Sequence, residues 1–329
     1  AAVSVGLLFA AELGRLAGRT EPVITHHEAV RRLLGDRLPR PMIEVTGSQG
    51  KTTTAHAIAH LLPGAGVLHT SAGTCAYPQK TLLFKRSITP ASLLAAAGAA
   101  VQQQGWLVAE VSLGVTGAGD LAVITSPEDY RIANGKRSAI RAKVASADPA
   151  RHLLVADGVP CDRPDAIRVS DIARCECTEC TVEWKGRRSV IPNALFLLAQ
   201  YRTPLMLAAA AALILRLDPA PLAGFAALPG RMSLHRAGAV LIVDNANSGV
   251  NRKTTLCAAQ YARHCAGTGD LTILGGINLR TNTGRQINAI MALAVINCLV
   301  ALGEVGIAEA LGQGMPNQRP TNYSRASVR

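Results

Sequence analysis

One stretch limits the fold of this chain more than any other: Gly47-Ser48-Gln49-Gly50-Lys51-Thr52-Thr53-Thr54. Met42-Ile43-Glu44-Val45 before it reads as a short buried strand, and residues 51–62 read as a helix. A glycine-bounded loop between strand and helix is the context in which phosphate groups are held. Glycines let the backbone approach the phosphates closely, and the helix N-terminus offers free N–H groups and partial positive charge. Lys51 can reach the β and γ phosphates of a nucleotide, and the Thr52 hydroxyl can hold Mg²⁺. The plain alternative is a glycine turn beside a chance lysine. Strand, loop, lysine and three threonines together weigh against it.

Downstream, the pattern alternates. Residues 67–70, 106–111 and 121–125 read as strands, and 91–104 as a helix. Such alternation implies a mostly parallel sheet covered on both faces. Aromatic residues make up only 3% of the chain and Ala and Leu dominate the apolar set, which favours helix-rich α/β over all-β. Residues 1–38 look helical and end at Pro39 and Pro41. The segment 157–193 holds turn formers, charges and four cysteines, and an Ala/Leu helix follows at 204–217. Pro229-Gly230-Arg231 looks like a joint. Beyond it, strands at 240–243 and 271–274 and helices at 254–264 and 286–302 make a smaller α/β unit.

The formal charge is +12, yet only 17% of residues are charged, which excludes wholesale disorder. A basic surface suits nucleic acid, anionic lipid or a polyanionic small substrate, and its plainest reading is a solvated face. No nucleic acid is expected: there is no dense Lys/Arg block, no zinc finger with His ligands and no aromatic stacking motif. The longest apolar runs, 205–215 and 289–302, fall short of the ~20 residues that span a bilayer and read as buried helices. Residues 3–11 resemble a signal core but lack a basic start and a cleavage site. A cytoplasmic protein without a membrane span is expected. Eight cysteines in 329 residues do not suggest a secreted disulfide scaffold.

Two residues separate the loop glycines, where a general phosphate loop has four. Gly-x-x-Gly-Lys-Thr-Thr-Thr resembles the ATP loop of the Mur ligase superfamily, and the threonine run sets it apart from the related folate polyglutamate ligases. Further matches follow in family order over roughly residues 40–250. The resemblance implies an α/β fold: an N-terminal helical remnant at 1–38, a P-loop ATP-binding central domain with a mostly parallel sheet at 39–229, and a smaller C-terminal ligase domain at 230–329. It implies ATP and Mg²⁺ as cofactors, and conversion of a substrate carboxylate into an acyl phosphate. Gly47, Ser48, Gln49, Gly50, Lys51, Thr52 and Thr53 would hold the nucleotide.

Glu110, ending a strand in Ala109-Glu110-Val111-Ser112, resembles the family's Mg²⁺-binding Glu, with Thr52 as the other ligand; read alone, it is a surface Glu. Ile140-Arg141-Ala142-Lys143 resembles the helix carrying an Ala-Lys pair whose Lys is carbamylated in several Mur ligases and helps bind a second Mg²⁺. Unmodified, Lys143 would bind phosphate or face solvent. Lys51, Glu110 and Lys143 are the catalytic candidates. Pro229-Gly230-Arg231-Met232 resembles the joint whose Arg reaches the nucleotide. Asp244-Asn245-Ala246-Asn247-Ser248-Gly249 resembles the next signature, with Asp244 on ribose or adenine-side groups and Asn247 where His is usual. Alone, Arg231 reads as an interface ion pair and Asp244 as a turn at a strand end.

Departures accompany the matches. Thr125-Ser126-Pro127-Glu128-Asp129-Tyr130 stands where the family has Thr-Asn before Asp-His, so the metal-side His is absent; Asp129 or Glu128 could serve instead. Only about forty residues precede the loop, too few for the usual UDP-binding domain, which disfavours a nucleotide-sugar substrate. Residues 22–30, Leu68-His69-Thr70-Ser71, residues 110–120 and 244–251 resemble one branch, the coenzyme F-430 synthetases of methanogens. That branch closes the last carbocyclic ring of a nickel tetrapyrrole after ATP activates a propionate. The partner implied is a nickel tetrapyrrole or another polycarboxylate. His26 and His27 read as polar surface or as contacts to such a ligand, and the stretch 114–119 as flexible enough to line its crevice.

Cys161, Cys175, Cys177 and Cys180 lie close in sequence, and Cys177-x-x-Cys180 has metal-knuckle spacing. A Zn²⁺ site there would resemble the insertion of the Mur-type amide ligase that amidates lipid-linked muropeptide. Reduced thiols in a loop are the alternative. Cys75, Cys257, Cys265 and Cys298 read as core residues. A nucleotide-binding module without catalysis is the reading from a different class.

Overall fold

The computed structural model describes residues 3–5, 23–36, 38–238, 240–245, 252–266, 271–277, 296–302 and 323–327. Its contacts divide it into two units, Ala1–Phe225 and Ala226–Arg329. The first is built on an eight-stranded sheet. In order across it, the strands are Ile167–Arg168, Leu153–Val155, Leu121–Ile124, Met42–Thr46, Trp106–Glu110, Gly66–Thr70, Gly73–Tyr77 and Thr81–Phe84. The first six run parallel, and the last two add an antiparallel edge.

Parallel strands covered on both faces carry near-continuous apolar runs. Met42–Thr46, Gly66–Thr70, Trp106–Glu110 and Leu121–Ile124 are buried at every residue. Helices His26–Leu34 and Pro90–Gln102 bring Val30, Leu34, Leu93 and Ala96 into one core with Met42, Val67, Leu107 and Ala109. The other face carries the helices Lys51–Leu61 and Ala199–Ile214, packed on each other. Five consecutive buried alanines, Ala208 to Ala212, allow that close approach.

The order of strands fixes where a ligand can bind. The chain leaves Met42–Thr46 toward Gly66–Thr70 on one side, then crosses from Trp106–Glu110 to Leu121–Ile124 on the other. Connections therefore diverge beyond the carboxyl ends of Met42–Thr46 and Leu121–Ile124. In open α/β sheets that crevice takes the ligand.

The central strand holds one charge, Glu44, which is 1% exposed. Its carboxylate accepts the N–H groups of Thr116 at 2.6 Å, Ala118 at 3.2 Å and Gly119 at 3.3 Å, and the Thr116 hydroxyl at 2.9 Å. Burial pushes this carboxyl above its ordinary range against the pull of those donors. The stretch 114–119, expected to be flexible, is thus tied to the sheet, with Val115 and Thr116 buried.

Three segments differ from the sequence reading. Where 1–38 reads as helix, Val3–Val5 and Val23–Thr25 pair as parallel strands, and the helix begins at His26. Thr25 starts it by accepting the Glu28 N–H at 3.1 Å. The segment 157–193, read as turns and charges, contains a three-stranded antiparallel sheet of Ala173–Glu176, Glu179–Trp184 and Arg187–Pro192. Ile296–Leu302 is a strand within the run read as helix 286–302. Short apolar runs do not distinguish buried strand from buried helix by periodicity.

The second unit pairs Ser233–Ala237, Val240–Asn245, Ile296–Leu302, Leu271–Ile277 and Tyr323–Ser327 in that order, every ladder antiparallel, and includes the helix Arg252–Ala266. Among the described residues, no helix is long and apolar enough to cross a membrane.

Glu44→Gln keeps the shape of the side chain but turns one amide N–H₂ toward backbone donors. A loss of about 1–3 kcal/mol in urea unfolding is expected. A variant as stable as the parent would show that the carboxylate does not hold the 116–119 loop.

Candidate active site

The loop 47–50 leaves the central strand at the crevice. Gly47 has φ 149° and Gly50 φ 78°. A Cβ at Gly47 would lie 2.1 Å from Thr125 Oγ1, so only glycine fits. Gly50 caps the helix Lys51–Leu61 in the left-handed region, without a side-chain cap. Thr54 N–H is the first to bond back, to the Gly50 carbonyl at 2.9 Å. The N–H groups of Lys51, Thr52 and Thr53 therefore have no acceptor within the helix. That is the arrangement anions bind.

Thr125 and Ser126, from the end of the neighbouring strand, brace the loop. Ser126 Oγ accepts the N–H groups of Ser48 at 3.1 Å and Gln49 at 3.0 Å, and Thr125 Oγ1 donates to the Gln49 carbonyl. Pro204 packs beside Gly50, where a Cβ would sit 3.3 Å from its Cγ. In the sequence these three residues carry no mark of this role.

Glu110 ends the strand beside the loop and is 3% exposed. It accepts the Thr52 hydroxyl at 2.9 Å and the Ser71 N–H at 3.2 Å, and its Oε1 lies 3.7 Å from Lys51 Nζ. The structure thus brings Lys51, Thr52 and Glu110 together. A hydroxyl and a carboxylate form a hard oxygen pair, the donor chemistry Mg²⁺ takes. His69 lies nearby, 1% exposed, with Nδ1 2.7 Å from Thr74 Oγ1. Burial lowers its pKa, and the charge of Glu110 opposes this.

Lys143 is fully buried and reaches back to the loop, donating to Ser48 Oγ at 3.0 Å. Its Nζ also stands 4.8 Å from the centroid of the Tyr130 ring. Burial, then the like charge of Lys51, lowers its pKa to about 8. Ser48 Oγ in turn donates to the Glu128 carbonyl at 2.7 Å. Asp129 does not stand free as a replacement for the missing His. Its carboxylate accepts the N–H groups of Ile140 at 3.0 Å and Tyr130 at 2.8 Å, at the start of the helix Ala139–Ser146. The Ile140 N–H and then the Ser138 hydroxyl hold it below the usual carboxylate range.

Beside this constellation opens a cavity of about 780 Å³. Arg31, Arg131, Lys136, Arg137 and Arg141 line it against the acids Glu28 and Asp129. Sequence reading finds the overall positive charge but not its convergence, because these residues come from separate segments. His27 also lines it, 4% exposed, with Nε2 3.2 Å from the Ser112 carbonyl. Burial lowers its pKa to about 4, so it is neutral at physiological pH.

In the second unit, Asp244 accepts the Gly230 N–H at 3.1 Å, which sets it against the Pro229-Gly230-Arg231 joint. Asn247 lies outside the described residues. The Zn²⁺ reading of Cys161, Cys175, Cys177 and Cys180 is not supported. Among the described residues, no three of His, Cys, Asp or Glu are placed to hold a metal ion. A hairpin explains this: Cys175 and Cys180 face each other across two strands, Cys177 is exposed at the turn, and Cys161 precedes that sheet.

Residues 45–132, which include the phosphate loop and Glu110, match the Mur ligase middle domain. The chain is similar to coenzyme F(430) synthetase of Methanosarcina acetivorans, 30% identical over 299 residues, which cover 75% of this chain and 62% of that protein. It therefore spans less than two thirds of that relative. Among solved structures it is similar to UDP-N-acetylmuramoyl-L-alanyl-D-glutamate–2,6-diaminopimelate ligase, at TM-score 0.52 and 15% identity over 72% of this chain and 57% of that one. It is also similar to the bifunctional folylpolyglutamate synthase/dihydrofolate synthase of Yersinia pestis, at TM-score 0.51 and 18% identity over 80% of this chain and 74% of that one. These likenesses show the fold.

Lys143 gives a pH signature. Its folded pKa of about 8 lies below the ordinary 10.5, so the unfolded chain binds more protons between those values. The stability of the parent relative to Lys143→Met should rise as pH increases through that window, in paired denaturant titrations. A difference that stays flat would refute the buried, depressed amine.

Proposed function

We propose that this protein is an ATP-dependent ligase that activates a carboxylate of a polyanionic substrate, and that the substrate is a nickel seco-tetrapyrrole whose propionate is cyclised onto a ring carbon. The single observation that carries this reading is the adjacency of a phosphate loop to a cavity whose lining holds five cations against two acids. The similarity to coenzyme F(430) synthetase points the same way.

In this reading, the loop N–H groups and Lys51 bind the β and γ phosphates, displacing the internal bonds of Ser48 and Gln49 to Ser126. Thr52 and Glu110 would hold Mg²⁺, which would supply charge to offset the phosphates. A substrate carboxylate oxygen attacks the γ phosphorus and ADP leaves; the nucleophile then attacks the acyl carbon and phosphate leaves. Little covalent chemistry falls to the protein, whose part is positioning and charge stabilisation. Lys143 lies next to Ser48 and faces the charge of Lys51. Its lowered pKa enlarges the neutral amine fraction that carbamylation by CO₂ requires, and the carbamate would supply an anionic oxygen ligand for a second Mg²⁺. The cations around the cavity recognise the remaining carboxylates.

Release of ADP should require the nickel seco-tetrapyrrole. Lys51→Ala should lower kcat by about 10²–10³-fold, as loss of one preorganised charge does, and should also lower the unfolding midpoint, because the buried Glu110 loses its opposite charge. Arg141→Glu should act mainly on KM. ADP release that ignores the tetrapyrrole, or full activity in Lys51→Ala, would overturn the proposal.

A further inference from the structure

We propose that Cys175 and Cys180 form a redox modification site, oxidising to an intrachain disulfide and returning to thiols under reduction. Ala173–Glu176 and Glu179–Trp184 pair antiparallel through the two-residue turn Cys177-Thr178, with Glu176 opposite Glu179 and Cys175 opposite Cys180. In a two-residue hairpin the pair flanking the turn is hydrogen-bonded, and the next pair is the close, non-hydrogen-bonded kind. There the Cα atoms sit about 4.5 Å apart. That falls within the ~4.4–6.8 Å span over which a disulfide closes without moving the backbone. Both are free in the structure.

The two sulfurs are not equivalent. Cys175 is half-buried, while Cys180 is 0% exposed. The Cys180 S–H, and to a lesser degree the Arg202 guanidinium, draw the Cys175 thiol below its ordinary range against the effect of burial. The same hydrogen bond, together with burial, pushes Cys180 up. Cys175 is therefore the attacking thiolate and Cys180 the resolving thiol. The oxidant is a small-molecule disulfide. Cys175 attacks one of its sulfurs, the reagent's S–S bond breaks, and one thiolate leaves. Cys180 loses its proton to that thiolate and attacks the Cys175 sulfur, so the mixed disulfide breaks and the second thiol leaves. The protein gives up two electrons and two protons, which leave on two reagent thiols. Cys177 is exposed in the turn, in left-handed backbone with φ 50°, and opposes neither sulfur in the register.

The test uses the whole chain, equilibrated in graded mixtures of oxidised and reduced glutathione, quenched by alkylation and mapped by peptide mass. The expected result is a loss of two alkylatable thiols, a peptide crosslinking Cys175 to Cys180, recovery on reduction, and the same behaviour in Cys177→Ser. A persistent glutathione adduct on Cys175, a crosslink through Cys177, or no loss of thiols at the oxidised end would overturn the proposal. Because the crosslink is read in the parent chain, the result does not depend on whether Cys180→Ser folds.

Discussion

Glu110 is a carboxylate held inside the molecule at the end of an apolar strand, and the site is organised around satisfying it. A buried carboxylate is costly unless charge and hydrogen bonds surround it. Lys51 supplies the opposite charge, while the Thr52 hydroxyl and the Ser71 N–H supply hydrogen bonds. To meet Glu110, the helix Lys51–Leu61 must begin where it does. Its start requires the loop to leave the central strand at once, and that exit leaves no room for a side chain at Gly47. Strand, loop and helix are thus one construction, with the same groups that satisfy Glu110 facing the crevice.

Around that construction, charge is arranged by distance from water. Glu44 and Lys143 are the two buried charges flanking it, and each does structural work: Glu44 gathers the 116–119 loop, and Lys143 reaches the Ser48 hydroxyl under the Tyr130 ring. Of the cations of the neighbouring cavity, Arg131, Lys136, Arg137 and Arg141 are exposed and Arg31 is half-buried. A protein of net charge +12 would show diffuse positive potential if its cations were evenly spread. Here five of them line one cavity.

The sheet and loop were legible because their signals are local. A strand buried on both faces reads as an apolar run, and a phosphate loop needs its residues in sequence. Lys51, Thr52 and Glu110 could be named, since the carboxyl ends of parallel strands converge on one crevice. What depends on tertiary partners was not legible. Thr125, Ser126 and Pro204 are ordinary residues until the loop packs against them. The hairpin at 173–184 was hidden by charged residues on its solvent side, although Cys180 and Val182 alternate inward. Ile296–Leu302 was misread because a short apolar run carries no period. The Cys spacing suggested a metal knuckle, whereas pairing across two strands brings only Cys175 and Cys180 face to face.

The most direct measurement is a crystal structure of this chain with Mg²⁺ and a non-hydrolysable ATP analogue. The expected result is the terminal phosphate against Lys51 and the N–H groups of Lys51, Thr52 and Thr53, with Thr52 and Glu110 holding the metal and their 2.9 Å hydrogen bond broken. An analogue bound elsewhere, with that hydrogen bond and the Ser126 brace intact, would contradict it.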